Sequence, residues 1–264
     1  MTLTAQRHHA KDRVEAFAAR YHPQAFCTAG RQIVADGLQE RLDDPNWINQ
    51  QGVGICGPTS IVYSLALHRP LAYVDLVINL FEHGRARLGN WTLEPCRELK
   101  HHAMPDLRSG IEQADWIPTA SIRDCENWFF DYYSASQENG GGMKHGDMAD
   151  IFKKAGFKHV RDSVQDGHPR DLHNLHRASQ YYQNDYSVCL CVDANLLKHL
   201  PPQGRHNHWI VLTSEVVVDA NGLVAAEVFS WGKTRHLYSN PHKHHKYTSA
   251  QFLEYYYGYV VCKL

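Results

Sequence analysis

Residues 186–192 read Y186-S-V-C-L-C-V192. The run is too short and too uniformly apolar for a surface helix. Its Val and Cys side chains suit a strand buried on both faces. Working outward, the chain downstream keeps this grammar. H208-W-I-V-L-T-S-E-V-V-V218 reads as one long strand, D219-A-N-G222 is a hairpin signal, and L223-V-A-A-E-V-F-S-W231 and Y256-Y-G-Y-V-V-C-K-L264 read as further strands. Upstream the period is helical. Residues 9–20 and 31–42 carry charged amphipathic faces, and Pro58 and Pro70 each suit a helix's first turn. The helix from Pro70 places Leu71, Val74, Ile78 and Phe81 on one stripe, with Gly89 as its stop. Ser121–Ser134 reads as a helix rich in aromatics, and Asp147–Lys154 as a short one ended by Gly156. Helices first and antiparallel strands afterwards predict an α+β chain. The expectation is one domain over 1–264, with a helical lobe over about 1–185 and a β lobe over about 186–264.

The chain has 264 residues, 43% of them hydrophobic, enough to bury a core without metal or disulfide support. Lys plus Arg total 27 and Asp plus Glu 28, a net charge of −1. That balance argues against a module held to nucleic acid or to a membrane surface by bulk positive charge. No run approaches the roughly 18 apolar residues of a membrane span. The opening M1-T-L-T-A-Q-R-H-H-A10 has no apolar core of a secretory signal, so the expected location is the cytoplasm, or a target cell reached by another route. Seven cysteines cannot all pair within the chain, and they include no C-x-x-C, which fits a reducing compartment.

One cysteine has a special setting. In N49-Q-Q-G-V-G-I-C-G-P-T-S-I-V-Y63, glycines surround Cys56 and a helix begins beside it. The free N–H groups and positive dipole end of a helix favour a thiolate, the nucleophilic form of cysteine. Gly54 and its neighbours leave room for a substrate backbone. The amide of Gln50 or Gln51 is suited to donate to an oxyanion beside the Cys56 N–H. The other six cysteines read as packing or surface thiols, with Cys189 and Cys191 on one strand face. Among 19 histidines, His208 is the best placed base, at the mouth of the strand that starts H208-W-I-V-L, with His206 as its rival. Ser230, Glu227 and Asp193 are the candidates for a residue that orients its imidazole.

Gln, a glycine-rich loop, Cys at a helix start, a distant H-W-x-V strand and then S-W-G resemble the papain-like cysteine peptidases. The Q-Q-G-x-G-x-C-G segment is also similar to staphopains and bacteriocin-leader peptidases. The resemblance implies a helical lobe carrying nucleophile Cys56 and a β lobe carrying base His208. It assigns the oxyanion to Gln50 (Gln51 with a loop one residue shorter), and it needs no cofactor. The family's N-S-W-G stands here as F229-S-W-G232, so Ser230 or Glu227 replaces the orienting Asn, or Cys56 and His208 act as a dyad. Gln51, Gly54 and Trp231 are then the substrate-contacting residues. The stretches A114-D-W-I-P-T-A-S-I-R-D-C-E-N127 and F81-E-H-G-R-A-R-L-G89 look similar to papain-like toxin and effector domains of bacterial secretion systems. That implies a protein or peptide substrate and a cognate immunity or inhibitor protein as partners.

Two other classes compete. A transglutaminase or deamidase passes through the same thioester. A His-rich binding domain would use Cys56 structurally. The histidine groups (His8 and His9, His101 and His102, His173 and His176, and the H242-K-H-H-K246 cluster) lack the spacing of a known metal motif, so no metal is expected. Gly140–Gly142 reads as a loop, and the aromatic block W128-F-F-D-Y-Y133 as a core helix face.

Overall fold

The computed structural model describes residues 1–101, 110–127, 131–137, 143–165, 167–168, 170–237 and 247–263. The Gly140–Gly142 loop, the 242–246 cluster, His102 and Trp128–Phe130 lie outside them. The fold is α+β, with helices first and antiparallel sheets afterwards. Contacts divide the chain into two compact units. One holds Met1–Met143 and Lys154–Gly156, the other Lys144–Lys153 and Phe157–Leu264.

The first unit is helical. It contains α1 (Leu3–Ala19), α2 (Arg31–Asp43), a 3-10 turn at Pro45–Trp47, α3 (Cys56–His68) and α4 (Pro70–His83). A small hairpin, β1 (Ala86–Leu88) with β2 (Trp91–Leu93), precedes α5 (Arg97–His101) and α6 (Gln113–Glu126). Helix α3 is buried over all but its last turn, which explains why its sequence is apolar all round rather than striped. Helix α4 ends earlier than expected. Gly84, at φ +64°, takes the left-handed cap and donates its N–H to Leu80 O, and Gly89 instead turns the β1–β2 hairpin. Helix α6 also departs from the sequence reading. It starts at Gln113, Pro118 lies inside it, and Ser121 is interior rather than a cap. The described part of the aromatic block, Asp131–Tyr133, is not helical, and Tyr132 packs its ring 6.0 Å from that of Trp116.

The second unit is built on a six-stranded antiparallel sheet. Its elements are α7 (His145–Lys154), β3 (Lys158–Asp162), α8 (Leu172–Gln183), β4 (Tyr186–Val192), α9 (Asn195–Lys198) and β5 (His208–Leu212). They continue with β6 (Val217–Val218), β7 (Leu223–Ala225), β8 (Glu227–Phe229), β9 (Thr234–His236), β10 (Tyr247–Thr248), α10 (Ser249–Leu253) and β11 (Tyr256–Lys263). The large sheet runs β3-β11-β4-β5-β8-β9, and a small one runs β10-β7-β6. The sheet unit therefore takes in α7, β3 and α8, which precede residue 186.

Two expected long strands are each broken in two. H208–V218 splits at Thr213–Val216, and L223–W231 splits at Ala226, so β5 and β8 join the large sheet while β6 and β7 join the small one. Ser214 makes the break, because its hydroxyl accepts the Glu227 N–H at 2.7 Å. The D219–G222 turn forms the hairpin read from sequence. Leu190, Val192, Ile210, Val228 and Tyr259 lie in one buried cluster under the sheet.

Candidate active site

The candidate residues form two groups, one in each unit. In the helical unit Cys56 is the first residue of α3, and Pro58 is its third. The thiol is buried, 3% exposed. The loop that delivers it is fixed by hydrogen bonds between its own side chains and backbone. Asn49 accepts the Gln51 N–H at 2.8 Å, and Gln51 sits at φ +51°, a strained setting for a non-glycine residue. The Gln50 side chain is buried and donates one Nε2 hydrogen to Val53 O at 2.7 Å. An amide nitrogen carries two hydrogens, so this anchor fixes the direction of the second. A Cβ at Gly57 would lie 2.5 Å from Met143 Cβ, so that glycine is required by packing. Gly52 and Gly54 differ: a Cβ at either would meet nothing within 4 Å, and neither has a left-handed φ. Their glycines leave open space above the loop.

The loop's start is tied down by a group that sequence reasoning did not assign. Asp115 of α6 takes two hydrogen bonds from Arg41 (2.9 and 2.8 Å) and one from the Asn49 N–H (3.0 Å). Both charged side chains are 1% exposed. Burial opposes the charge on Arg41, but the hydrogen bonds and charge of Asp115 outweigh it and hold the guanidinium above its ordinary value. A buried charge of this kind is recognisable in sequence only by its pairing, and the pair is 74 residues apart.

In the sheet unit His208 opens β5, opposite Val192 of β4, and is 4% exposed. Its Nε2 lies 2.8 Å from Ser230 Oγ, and its ring stacks on Trp231 with centroids 4.7 Å apart and 26° between planes. Burial, with the charges of Lys198 and Arg235, lowers His208 to about 3, so the imidazole is neutral at pH 7. Arg235, which the sequence did not single out, braces this turn. Its Nε donates to Ser230 O at 3.1 Å and its guanidinium lies over the Trp231 ring at 4.9 Å. Trp231 itself is held at φ +50°.

The other orienting candidates face elsewhere. Glu227 pairs with His236 at 3.1 Å. Asp193 is fully buried and accepts the Asn195 and Gln203 N–H groups at 2.9 and 2.6 Å. His206 is exposed, its ring 5.5 Å from that of Tyr257. Ser230 is therefore the candidate placed on the His208 ring.

Among the described residues one group could hold a metal ion: Cys96, Asp124 and Asp131 offer ligand atoms within 4.8 Å of one another. Asp124 already accepts the Cys96 and Tyr132 N–H groups, both at 2.7 Å, so its carboxylate has a structural role. Burial raises the Cys96 thiol to about 12, which suits a packing residue. Among the described residues no helix is long and apolar enough to cross a membrane. Searches of protein-family models, curated proteins and solved structures return no match.

Proposed function

We propose that the chain is a cysteine hydrolase that cleaves peptide or protein amides, with Cys56 as nucleophile and His208 as base. The observation that carries this reading is the His208 geometry: a buried imidazole, held at Nε2 by Ser230 and stacked on Trp231. With Nε2 bearing its hydrogen toward Ser230 Oγ, proton transfer falls to Nδ1. Cys56 at the positive end of the α3 dipole supports the nucleophile's role.

In the proposed reaction Cys56 Sγ attacks the carbonyl carbon while Nδ1 takes the thiol proton. The oxyanion is met by the second Gln50 Nε2 hydrogen and the Cys56 N–H. The proton passes to the leaving amine, the C–N bond breaks, and a thioester remains. Water, deprotonated by His208, then releases the acid and restores the thiol. Ser230 in place of the orienting Asn supports a Cys-His-Ser arrangement. The resemblance of 81–89 and 114–127 to secretion-system toxin domains supports a role as a toxin or effector, with an immunity protein as partner.

Incubation of wild type and Cys56→Ala with a denatured proteome tests the reading, with new N-termini and mass changes mapped together. New N-termini made by wild type and lost in Cys56→Ala and His208→Ala are expected. Cleavage that survives Cys56→Ala overturns the mechanism. Products about 1 Da heavier, or amine crosslinks without cleavage, move the same thioester to a deamidase or transglutaminase. A Cys56 no more reactive to iodoacetamide than the other six thiols leaves a binding domain instead.

A further inference from the structure

The sheet unit contains a second built feature, distinct from His208 and its neighbours. A cavity of about 270 Å³ lies against the end of α9 and against α10, walled by His199, Tyr247 and Tyr255, floored by Leu200 and Pro201, with Glu254 at its rim. The hydrogen bonds of these walls decide what can enter. A tyrosine hydroxyl has one hydrogen, and both are spent on backbone: Tyr247 donates to Leu196 O at 2.9 Å and Tyr255 to Leu200 O at 2.8 Å. With its hydrogen committed, the Tyr247 oxygen accepts from His199 Nδ1 at 3.1 Å. The rings are thus locked in place and their hydroxyl donors are turned away from a ligand. They are arranged as a stack, His199 on Tyr247 at 6.0 Å, met edge-on by Tyr255 at 5.6 Å. The cavity is thus lined by aromatic side chains with committed hydroxyls and by the exposed Glu254, and that combination attracts cations.

We propose that this pocket binds an alkylammonium or alkylguanidinium group, with the charge beside Glu254 and the aromatic side chains and the stem on Leu200 and Pro201. Its size suits one side chain rather than a drug-sized molecule, whose pockets run to about 300–1,000 Å³. Burial raises both Tyr247 and Tyr255, and at Tyr255 the charges of Glu254 and Asp193 add to the rise, a sign that favours a bound cation. Lys198, one residue before His199, is the opposing cation on α9, and its charge is felt at His208.

The pocket is also pre-formed. The Asp193 N–H donates to Tyr255 O at 2.9 Å, its carboxylate takes the Asn195 and Gln203 N–H groups, and Asn195 Nδ2 holds Pro201 O at 2.7 Å. His199 is kept at φ +55°, a strained conformation of the kind that recurs in ligand clamps. Gln251 spends its amide oxygen on the Thr248 N–H, and its NH2 suits a carbonyl of the ligand, which favours a Lys or Arg side chain in a polypeptide over a free amine.

The test is independent of catalysis. The full chain, labelled on its aromatic rings, is titrated by NMR with capped lysine, capped arginine, capped norleucine and butylamine. Saturable shifts of the His199, Tyr247 and Tyr255 rings are expected for the cations with Kd about 1 mM. Norleucine should bind at least about tenfold more weakly, and Glu254→Gln should weaken lysine about fivefold while leaving the remaining spectrum unchanged. Capped lysine binding more tightly than butylamine supports a polypeptide side chain as ligand, and the reverse order supports a free amine. Norleucine binding as well as lysine, an unchanged affinity in Glu254→Gln, or no ring shifts at about 20 mM overturns the proposal.

Discussion

The Cys56 loop and the His208 turn present their key residues in similar states and by different means. Both residues are nearly buried, and each has a neighbour forced into left-handed backbone, Gln51 in one case and Trp231 in the other. Around Cys56 the positioning is done by neighbours in sequence: a helix start, the Asn49 and Gln50 side chains, and the Val53 and Ile55 N–H groups bonded within the loop, with one buried ion pair at the loop's root. Around His208 it is done by side chains: a hydroxyl, an indole and a guanidinium. A setting built from neighbours in sequence leaves a local motif. A side-chain-built setting is assembled from separate strands and leaves little.

The largest expected effect tests the root of the Cys56 loop. Asp115→Ala strips Arg41 of its bidentate partner and Asn49 of its acceptor, and should cost about 3–5 kcal/mol in urea unfolding. Replacing Arg41 and Asp115 together with Met and Leu should restore most of that stability, since no buried charge is then stranded. Equal losses in the single and double variants would show that the pair is not the anchor.

The next effect belongs to the other side of the comparison. An unfolded histidine titrates near 6.5 and His208 in the fold near 3. As pH falls through 6.5 the unfolded chain gains a proton that the fold refuses. Stability from this residue is therefore full above 6.5 and is lost progressively toward 3. Between pH 7 and 5 wild type should lose about 2 kcal/mol more than His208→Gln. A parallel fall in both would remove His208 from the account.

Ser230→Ala separates orientation from burial. It leaves His208 Nε2 without its partner, so a cost of about 1–3 kcal/mol is expected, with turnover falling more than substrate affinity. Ser230→Thr, which keeps the hydroxyl, should recover much of the turnover. Gly54→Ala should do least to the fold, within about 0.5 kcal/mol, because no atom stands near the added methyl. If the open side of the loop receives substrate, KM should rise nonetheless.

The same contrast explains what could be read in advance. The order of helices and strands, the D219–G222 hairpin and the position of Cys56 at a helix start were all legible, because periodicity and turn chemistry are local. His208 was selected because its strand is continuous and apolar. The misses were tertiary. Ser121–Ser134 reads as a helix, yet α6 starts at Gln113 and carries Pro118 in its buried interior. Gly89 reads as a helix stop, yet Gly84 meets the cap geometry five residues sooner. Thr213–Val216 carries strand-forming residues, yet Ser214 diverts the chain from one sheet to the other through a hydrogen bond to Glu227. Arg235 and Asp115 carried no visible signal, since a charge reveals its partner only once the chain has folded.

Strand β11 has a consequence for how this molecule comes into being. It lies between β3 and β4, one strand in from the edge of the six-stranded sheet, though it is the last element of that sheet to be synthesised. During translation α1–α6 can collapse on contacts already made, whereas β3 and β4 wait with unpaired edges until residues 256–263 emerge. The helical unit is expected to mature first and the sheet unit to close in a late step. A nascent chain stalled before residue 256 would hold the Cys56 loop folded and leave the open edge of β4 exposed to aggregation.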